Sequence, residues 1–440
     1  MDVILVHGYN VTSTRTYGVL PQRLADAGHT IKDVYLSRYV TLDDDITMPD
    51  LVRAFDTALR DLYGAKFGTV KFACITHSTG ALVTRSWVDT YYGEAVNNLP
   101  MSHLIMLAPP TNGSRLAELG KSRLSRLRSL IGVEPGLKIL DALELGSRFQ
   151  WDLNTSWMRR KLHAAPKFFP FVVAGQWIDH KLWDAIIPAT YERGSDGVVR
   201  ASAANLNMQR ITVGPDGQAT RESMDGVAFL VAPQTSHSDT TYGIMGSIPS
   251  HGDHPVLTAI LSALDVATRS DYVAVQAGFA AKTDALQKSE TYYDNSPLDR
   301  YCQMVFRVTD NRGWALEDYA IELLDGSESG GSLPSGFFAD KHQNEVNLEQ
   351  FCYYLNYNRL GAVQGGKFGF KVQSAPNTPL VAYSEAMYLT PADATSILQP
   401  NQTTFVDIIL NRRLNKAIFQ ISDTFAEQKI DGKPGPDWID

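Results

Sequence analysis

The chain has 440 residues, of which 44% are hydrophobic and 20% are charged, and its formal net charge is −8. This length exceeds what one hydrophobic core usually supports, so we expect two or three domains. The acidic balance gives no electrostatic reason to expect a nucleic-acid partner. Three cysteines are too few for a disulfide framework, although the sequence permits one bond between Cys302 and Cys352.

The N-terminus leads directly into a short apolar strand, and no apolar run reaches the roughly 18 residues that a membrane span needs. We therefore expect neither a signal peptide nor a transmembrane segment, which leaves a cytoplasmic location or export by a signal-independent route. No HExxH, paired CxxC or glycine-rich phosphate loop is present, so the sequence predicts no metal and no cofactor.

Up to about residue 269, short apolar runs alternate with helix-like stretches. This pattern is typical of βαβ units that build a mostly parallel sheet covered by helices on both faces. The predicted strands are 3–6, 31–35, 70–75, 104–107, 171–174 and 227–231, and the predicted helices are 20–27, 49–63, 81–92 and 254–267. These elements predict a domain of α/β class over residues 1–269.

The pattern changes after this domain. Residues 299–430 carry short alternating strands, such as 304–308 and 403–410, separated by turns rich in glycine and aspartate. Such spacing favours an all-β, sandwich-like domain. We expect residues 270–298 to be a linker and residues 431–440 to be a tail.

The strongest local motif surrounds Ser78. The apolar run that ends at Ile75 leads into Thr76-His77-Ser78-Thr79-Gly80, and a helical pattern follows. A strand, a small-x-Ser-x-Gly turn and a helix form a nucleophile elbow, in which a strained turn lifts the serine hydroxyl above the sheet. The sequence therefore predicts Ser78 as a nucleophile. Thr76 departs from the usual glycine, and we expect the His77 side chain to point away from the attack site and to pack nearby.

With this motif, the N-terminal two-thirds of the chain resembles a serine lipase or esterase of the α/β-hydrolase superfamily, in a compact form similar to bacterial lipases. The resemblance covers about residues 1–268, and four segments carry it: 3–10, 76–80, 107–114 and 195–199. It implies an α/β-hydrolase fold with a lid, and two backbone N–H donors for an oxyanion at Tyr9 and Thr79.

The resemblance also implies the chain order Ser, acid, His, with the acid after the next-to-last strand and the histidine after the last. Asp196 lies in a Ser-Asp-Gly turn after predicted strand 171–174, and His237 follows predicted strand 227–231. We therefore predict Asp196 as the acid and His237 as the base. The alternatives are Asp179, Asp184 and Glu192 for the acid, and His251 and His254 for the base, although His254 fits better as a helix-entry residue.

The segment 113–165 is predicted to form the lid. Within it, Lys121, Arg123, Arg126 and Arg128 alternate with leucines at helical spacing, which predicts an amphipathic helix. That helix fits contact with a membrane surface, or simply a cap with a solvated basic face. Four tryptophans fit either an acyl pocket or the core: Trp151, Trp157, Trp177 and Trp183.

The predicted function is that of a serine carboxylic-ester hydrolase, which could be a lipase, a phospholipase or an esterase. It would act on a lipid or another acyl ester through a Ser-His-Asp triad and an acyl-enzyme. The same triad also serves amidases, thioesterases and acyltransferases, because a fold does not determine its substrate. A non-catalytic binding protein with a relic triad is the third alternative.

Overall fold

The structure of this chain is a computed structural model. It describes residues 1–8, 14–34, 43–115, 117, 136–178, 192–326, 333–363, 366–390, 393–419, 423 and 435–439.

The strands of the described residues, in chain order, are β1 (Asp2–Val6), β2 (Thr30–Val34), β3 (Phe72–His77), β4 (Met101–Leu107), β5 (Phe169–Ala174), β6 (Met208–Val213), β7 (Ala219–Met224), β8 (Ala228–Val231), β9 (Tyr301–Asp310), β10 (Tyr319–Leu324), β11 (Phe338–Gln343), β12 (Gln350–Asn356), β13 (Gly369–Ser374), β14 (Val381–Tyr383), β15 (Ala386–Leu389), β16 (Thr403–Leu410), β17 (Arg412–Asn415) and β18 (Trp438–Ile439). The α-helices are α1 (Leu20–Asp26), α2 (Met48–Tyr63), α3 (Thr79–Tyr92), α4 (Leu137–Leu143), α5 (Arg148–Arg160), α6 (Ala201–Ala204), α7 (Pro255–Leu264) and α8 (Arg269–Ser289).

The described residues divide into two compact units. The first comprises residues 1–208, 223–303 and 400–403, and the second comprises residues 209–222, 304–399 and 404–440. The unit boundaries differ from the predicted domains, because β6, with β7 beside it at the sheet edge, pairs with β16, which occurs much later in the chain.

A six-stranded sheet with the order β2-β1-β3-β4-β5-β8 forms the centre of the first unit. Every neighbouring pair in it is parallel. Helices α1, α7 and α8 cover one face, where their apolar side chains share a core with the strands. Helices α2 and α3 cover the other face, where the Phe55 ring lies edge-on to Trp87 with centroids 5.6 Å apart. The predicted parallel α/β sheet, covered on both faces, is confirmed.

Local sequence signals explain where several helices begin. Thr47 and Asp50 form a capping box at the start of α2, with Pro49 in its first turn, and Gly64 ends that helix. Helix α8 begins in the same way, with a capping box formed by Thr268 and Asp271. Such reciprocal hydrogen bonds satisfy N–H groups that the helix itself leaves unpaired.

The predicted linker is different in the structure. Most of 270–298 belongs to helix α8, which packs along the edge strand β8. The buried Tyr272 accepts a hydrogen bond from the Ala228 N–H at 3.1 Å and donates one to the Pro170 carbonyl. The prediction was wrong because only four residues of α8 are buried, so the apolar stripe is too sparse to indicate a packed helix: Tyr272, Phe279, Thr283 and Gln287.

The predicted lid is only partly described, since residues 116 and 118–135 lie outside the described residues. Its C-terminal part forms α4 and α5. Trp151 and Trp157 of α5 are 1% and 0% exposed, and the Trp157 indole donates to the Arg85 carbonyl in α3. These two tryptophans therefore belong to the core. Trp183 lies outside the described residues.

The second unit is built from β-strands, and its pairs β11–β12, β10–β13, β13–β15, β14–β17 and β17–β18 are antiparallel. Its larger sheet has the order β11-β12-β9-β16-β6-β7, and two three-stranded sheets have the orders β10-β13-β15 and β14-β17-β18. The predicted all-β, C-terminal domain is confirmed. Cys302 and Cys352 are both buried and neither belongs to a disulfide, so the bond that the sequence permitted is not formed. Among the described residues, no helix is both long and apolar enough to cross a membrane.

We expect the substitution Tyr272→Phe to lower the free energy of unfolding by about 1–3 kcal/mol, because it leaves the buried Ala228 N–H and Pro170 carbonyl without their partner. Urea denaturation followed by circular dichroism measures the change. The control is Val273→Ala, at a 53% exposed neighbour on the same helix, which should change stability by less than about 0.5 kcal/mol. Equal stability of wild type and Tyr272→Phe would contradict the packing of α8 on the sheet.

Candidate active site

Ser78 lies between the end of β3 and the start of α3, with a φ of 53° and a ψ of −127°. A positive φ is strained for a residue with a side chain, and such strain at a strand-to-helix turn is typical of a nucleophile elbow. The backbone N–H of Ser78 donates to the Leu107 carbonyl of β4 at 3.0 Å. The serine is half-buried, whereas its neighbours in the turn are buried.

The two glycines beside the elbow allow the backbones to approach closely. A Cβ at Gly80 would lie 2.6 Å from the His7 carbonyl oxygen, and a Cβ at Gly8 would lie 2.7 Å from the Ser78 Cβ and 3.2 Å from its Oγ. Only glycine fits at either position without a shift of the backbone. Thr76 is completely buried, so the departure from glycine two residues before the serine is accommodated inside the protein.

The structure describes one of the two predicted oxyanion donors, Thr79, and not the other, Tyr9. Thr79 is 1% exposed and is the first residue of α3, where a backbone N–H has no acceptor within the helix. Its position therefore suits a donor that faces developing negative charge. Tyr9, the other predicted donor, lies outside the described residues.

Asp196 and His237 meet although they are far apart in the chain. The Nδ1 atom of His237 lies 3.0 Å from Oδ2 of Asp196, and the side chains are 9% and 1% exposed. The other carboxylate oxygen, Oδ1, accepts from the backbone N–H groups of Val198 at 2.9 Å and Val199 at 2.7 Å. The carboxylate is thus fixed on both sides, and it directs Nδ1 of His237 to carry a proton.

Further contacts join the segment after β5, which carries Asp196, to the segment after β8, which carries His237. The His237 backbone N–H donates to the Asp196 carbonyl at 3.0 Å, and the Trp177 N–H donates to the Thr235 carbonyl at 3.1 Å. A Cβ at Gly175 would lie 2.0 Å from the Thr235 carbonyl oxygen and 3.0 Å from the Asp196 Cβ. The segments that follow β5 and β8 are therefore in direct contact beyond the ends of these strands.

Contact between this pair and the elbow is made through His77. Its Nε2 lies 3.1 Å from the His237 carbonyl oxygen, and the two imidazole rings have centroids 4.8 Å apart. The His77 side chain thus packs beside the site, as predicted, but the sequence did not indicate that it contacts His237. Within the described part of the chain, the Ser78 hydroxyl makes no hydrogen bond, and hydrogen bonds of catalytic groups are often loose before substrate binds.

The alternative acids and bases are placed elsewhere or are otherwise engaged. Glu192 pairs with Arg200 at 2.8 Å and with Arg115 at 3.5 Å. His254 is the N-cap residue of α7, and its Nε2 lies 3.2 Å from the Ser247 hydroxyl. His251 is exposed, and Asp179 and Asp184 lie outside the described residues.

Comparison with known proteins identifies the family. Phospholipase PlaB from Legionella pneumophila has 36% sequence identity to this chain, with a TM-score of 0.89, and the match covers 100% of this chain and 99% of that one. The same phospholipase in complex with thio-NAD matches at 36% identity with a TM-score of 0.88, covering 100% of both chains.

This chain belongs to the PlaB family. Membership confirms the predicted class of protein, a carboxylic-ester hydrolase with the α/β-hydrolase fold. A lipase from Bacillus licheniformis, BlEst2 in its mature form, has 20% identity and a TM-score of 0.34 over 46% of this chain and 78% of that chain, and it contributes nothing to the assignment. No protein-family model and no curated protein matches the chain.

We expect Gly8→Ala to lower ester hydrolysis by at least about 100-fold, because the added methyl group would force Ser78 or the loop after β1 to move, and misplacement by about 1 Å has a cost of that size. Hydrolysis of a short-chain p-nitrophenyl ester measures the effect. The control is Gly278→Ala in α8, where a Cβ would meet nothing within 4 Å. Normal turnover by Gly8→Ala would show that this loop does not contact the nucleophile.

Proposed function

We propose that this chain is a phospholipase that hydrolyses a carboxylic-ester bond of a phospholipid, with Ser78 as nucleophile, His237 as general base and Asp196 as the acid that orients the base. The observation that carries the proposal is the 3.0 Å contact between His237 Nδ1 and Asp196 Oδ2. A second support is that the whole length of the chain matches phospholipase PlaB.

The proposed reaction begins when Ser78 Oγ attacks the ester carbonyl carbon while Nε2 of His237 takes the hydroxyl proton. Asp196 then stabilises the positively charged imidazolium, because its carboxylate already accepts from Nδ1. The N–H groups of Thr79 and Tyr9 hold the oxyanion of the tetrahedral intermediate.

The intermediate collapses when the C–O bond to the leaving group breaks and the imidazolium gives its proton to the departing alkoxide. A lysophospholipid leaves, and the fatty acyl group remains esterified to Ser78. Water then attacks the acyl carbon, with His237 taking its proton, and the same sequence of steps releases the fatty acid and restores the serine.

The basic, leucine-rich segment of residues 121–131 supplies a second part of the proposal. This segment lies outside the described residues, so its contact with an anionic lipid surface stays a proposal from the sequence.

Adding phosphatidylserine to phosphatidylcholine vesicles should raise binding of the protein at low salt and not at high salt, because salt screens exposed charges. Equal binding to both vesicles would favour a cap with a solvated basic face.

We expect Asp196→Asn to lower the release of fatty acid from phosphatidylcholine vesicles by about 1,000- to 10,000-fold, because an amide favours the wrong tautomer of His237. Ser78→Ala should remove the activity. The matched control is Asp225→Asn, at an exposed aspartate of the same unit, which should keep wild-type turnover. Titration of the released fatty acid measures the rate. Full activity of Asp196→Asn or Ser78→Ala would refute the proposed triad.

Rates on matched substrates separate this proposal from its alternatives. An amide or thioester analogue that is cleaved faster than the ester would favour an amidase or a thioesterase. Acyl transfer to an added alcohol that exceeds hydrolysis would favour an acyltransferase. Failure of a fluorophosphonate probe to label Ser78 would support a binding protein with a relic triad.

A further inference from the structure

His77 ends strand β3 and immediately precedes the proposed nucleophile, yet its side chain contacts the proposed base. The ring is 6% exposed, its Nε2 lies 3.1 Å from the His237 carbonyl oxygen, and the two rings are inclined at 46°. The two residues are 160 positions apart in the chain. One side chain therefore connects the elbow to the loop that carries the base.

The surroundings of His77 determine which of its nitrogens carries the proton. A carbonyl oxygen only accepts hydrogen bonds, so Nε2 must be the donor. Burial, with smaller contributions from the neighbouring His237 and His7, lowers the pKa of His77 to about 3, even though the hydrogen bond to the His237 carbonyl acts in the opposite direction. The ring is therefore neutral near pH 7, with its single proton on Nε2. Its Nδ1 is buried and has no hydrogen-bond partner among the described residues.

With this contact, His237 is held at three points. Asp196 accepts from both its backbone N–H and its Nδ1, each at 3.0 Å, and His77 donates to its carbonyl oxygen. The two bonds from Asp196 hold His237 relative to the acid. The bond from His77 is the one that holds His237 relative to the residue next to Ser78.

We propose that His77 is a positioning residue, a neutral imidazole donor that fixes the distance between Ser78 and His237 for proton transfer. The inference rests on the proposed triad. General-base catalysis requires heavy atoms within hydrogen-bond reach, and a misplacement of about 1 Å costs about 100-fold in rate. A donor on the nucleophile's own strand that binds the main chain of the base meets this requirement directly.

Packing alone would also account for a buried ring, so the test must separate the ring from its donor. His77→Phe keeps an aromatic ring and removes the N–H. His77→Gln removes the ring and keeps an amide N–H at nearly the position of Nε2. In His77→Asn the amide is too short to reach the His237 carbonyl, so this variant is a second one without the donor. Positioning and packing predict opposite orders of activity for Phe and Gln.

The experiment measures kcat and KM for a p-nitrophenyl ester with wild type, Ser78→Ala and the three His77 variants, together with urea denaturation of each. We expect His77→Phe and His77→Asn to lose at least about 10-fold in kcat, with KM within about twofold, because proton transfer suffers while the binding surface does not. His77→Gln should stay within about threefold of wild-type kcat.

A folded His77→Phe with wild-type kcat, or a His77→Gln that is impaired as much as Phe, would overturn the inference while the proposed function stands. Wild type that is no faster than Ser78→Ala would instead overturn the proposed function. A histidine ¹⁵N spectrum of the wild-type protein decides the hydrogen bond without any activity. We expect His77 to show a protonated Nε2 and no titration between pH 8 and pH 5, whereas a protonated Nδ1 or a titration near its ordinary pKa would contradict the contact.

Discussion

The hydrogen bond between His237 Nδ1 and Asp196 Oδ2 is the interaction on which the rest of the site depends. It joins the segments that follow β5 and β8, which are neighbours in the central sheet. Because the strands are all parallel, their carboxyl ends lie at one edge of the sheet, and the turn after β3 that carries Ser78 lies at that same edge. The topology thus brings the segments that carry Ser78, Asp196 and His237 to one edge of the sheet, although they are far apart in the chain.

Backbone strain at Ser78, the proposed nucleophile, is the second constraint. Ser78 adopts a positive φ, and the surrounding backbone maintains it through close contacts that exclude any side chain at Gly8 and Gly80. A residue in such a conformation persists only where its surroundings determine it fully. The result is a serine that is half-buried at the sheet edge. Beside it lies the backbone N–H of Thr79, which has no carbonyl acceptor within its own helix.

The elbow and the residues proposed as acid and base could be selected from the sequence because their signals are local. A strand, a tight turn and a helix surround Ser78, whereas Asp196 and His237 each follow a short apolar run. Helix α8 was missed because half of its buried residues are polar, and only the packing on β8 shows why they are buried: Tyr272, Phe279, Thr283 and Gln287.

Non-local contacts account for the other differences. Strand β6 lies beside β16 in a sheet of the second unit, and no local pattern indicates a pairing between segments that are about 190 residues apart in the chain. The contact of His77 with His237 is of the same kind. The motif around Ser78 places His77 next to the nucleophile, but only the folded structure shows which carbonyl its ring meets.

A crystal structure of the protein after reaction with a fluorophosphonate that mimics a phospholipid tests the central claim most directly. We expect phosphorus bonded to Ser78 Oγ, a phosphonyl oxygen within hydrogen-bond distance of the Thr79 N–H, and His237 Nε2 facing Oγ while Nδ1 stays on Asp196. Phosphorus on another residue, or an imidazole other than His237 beside Ser78 Oγ, would contradict the account.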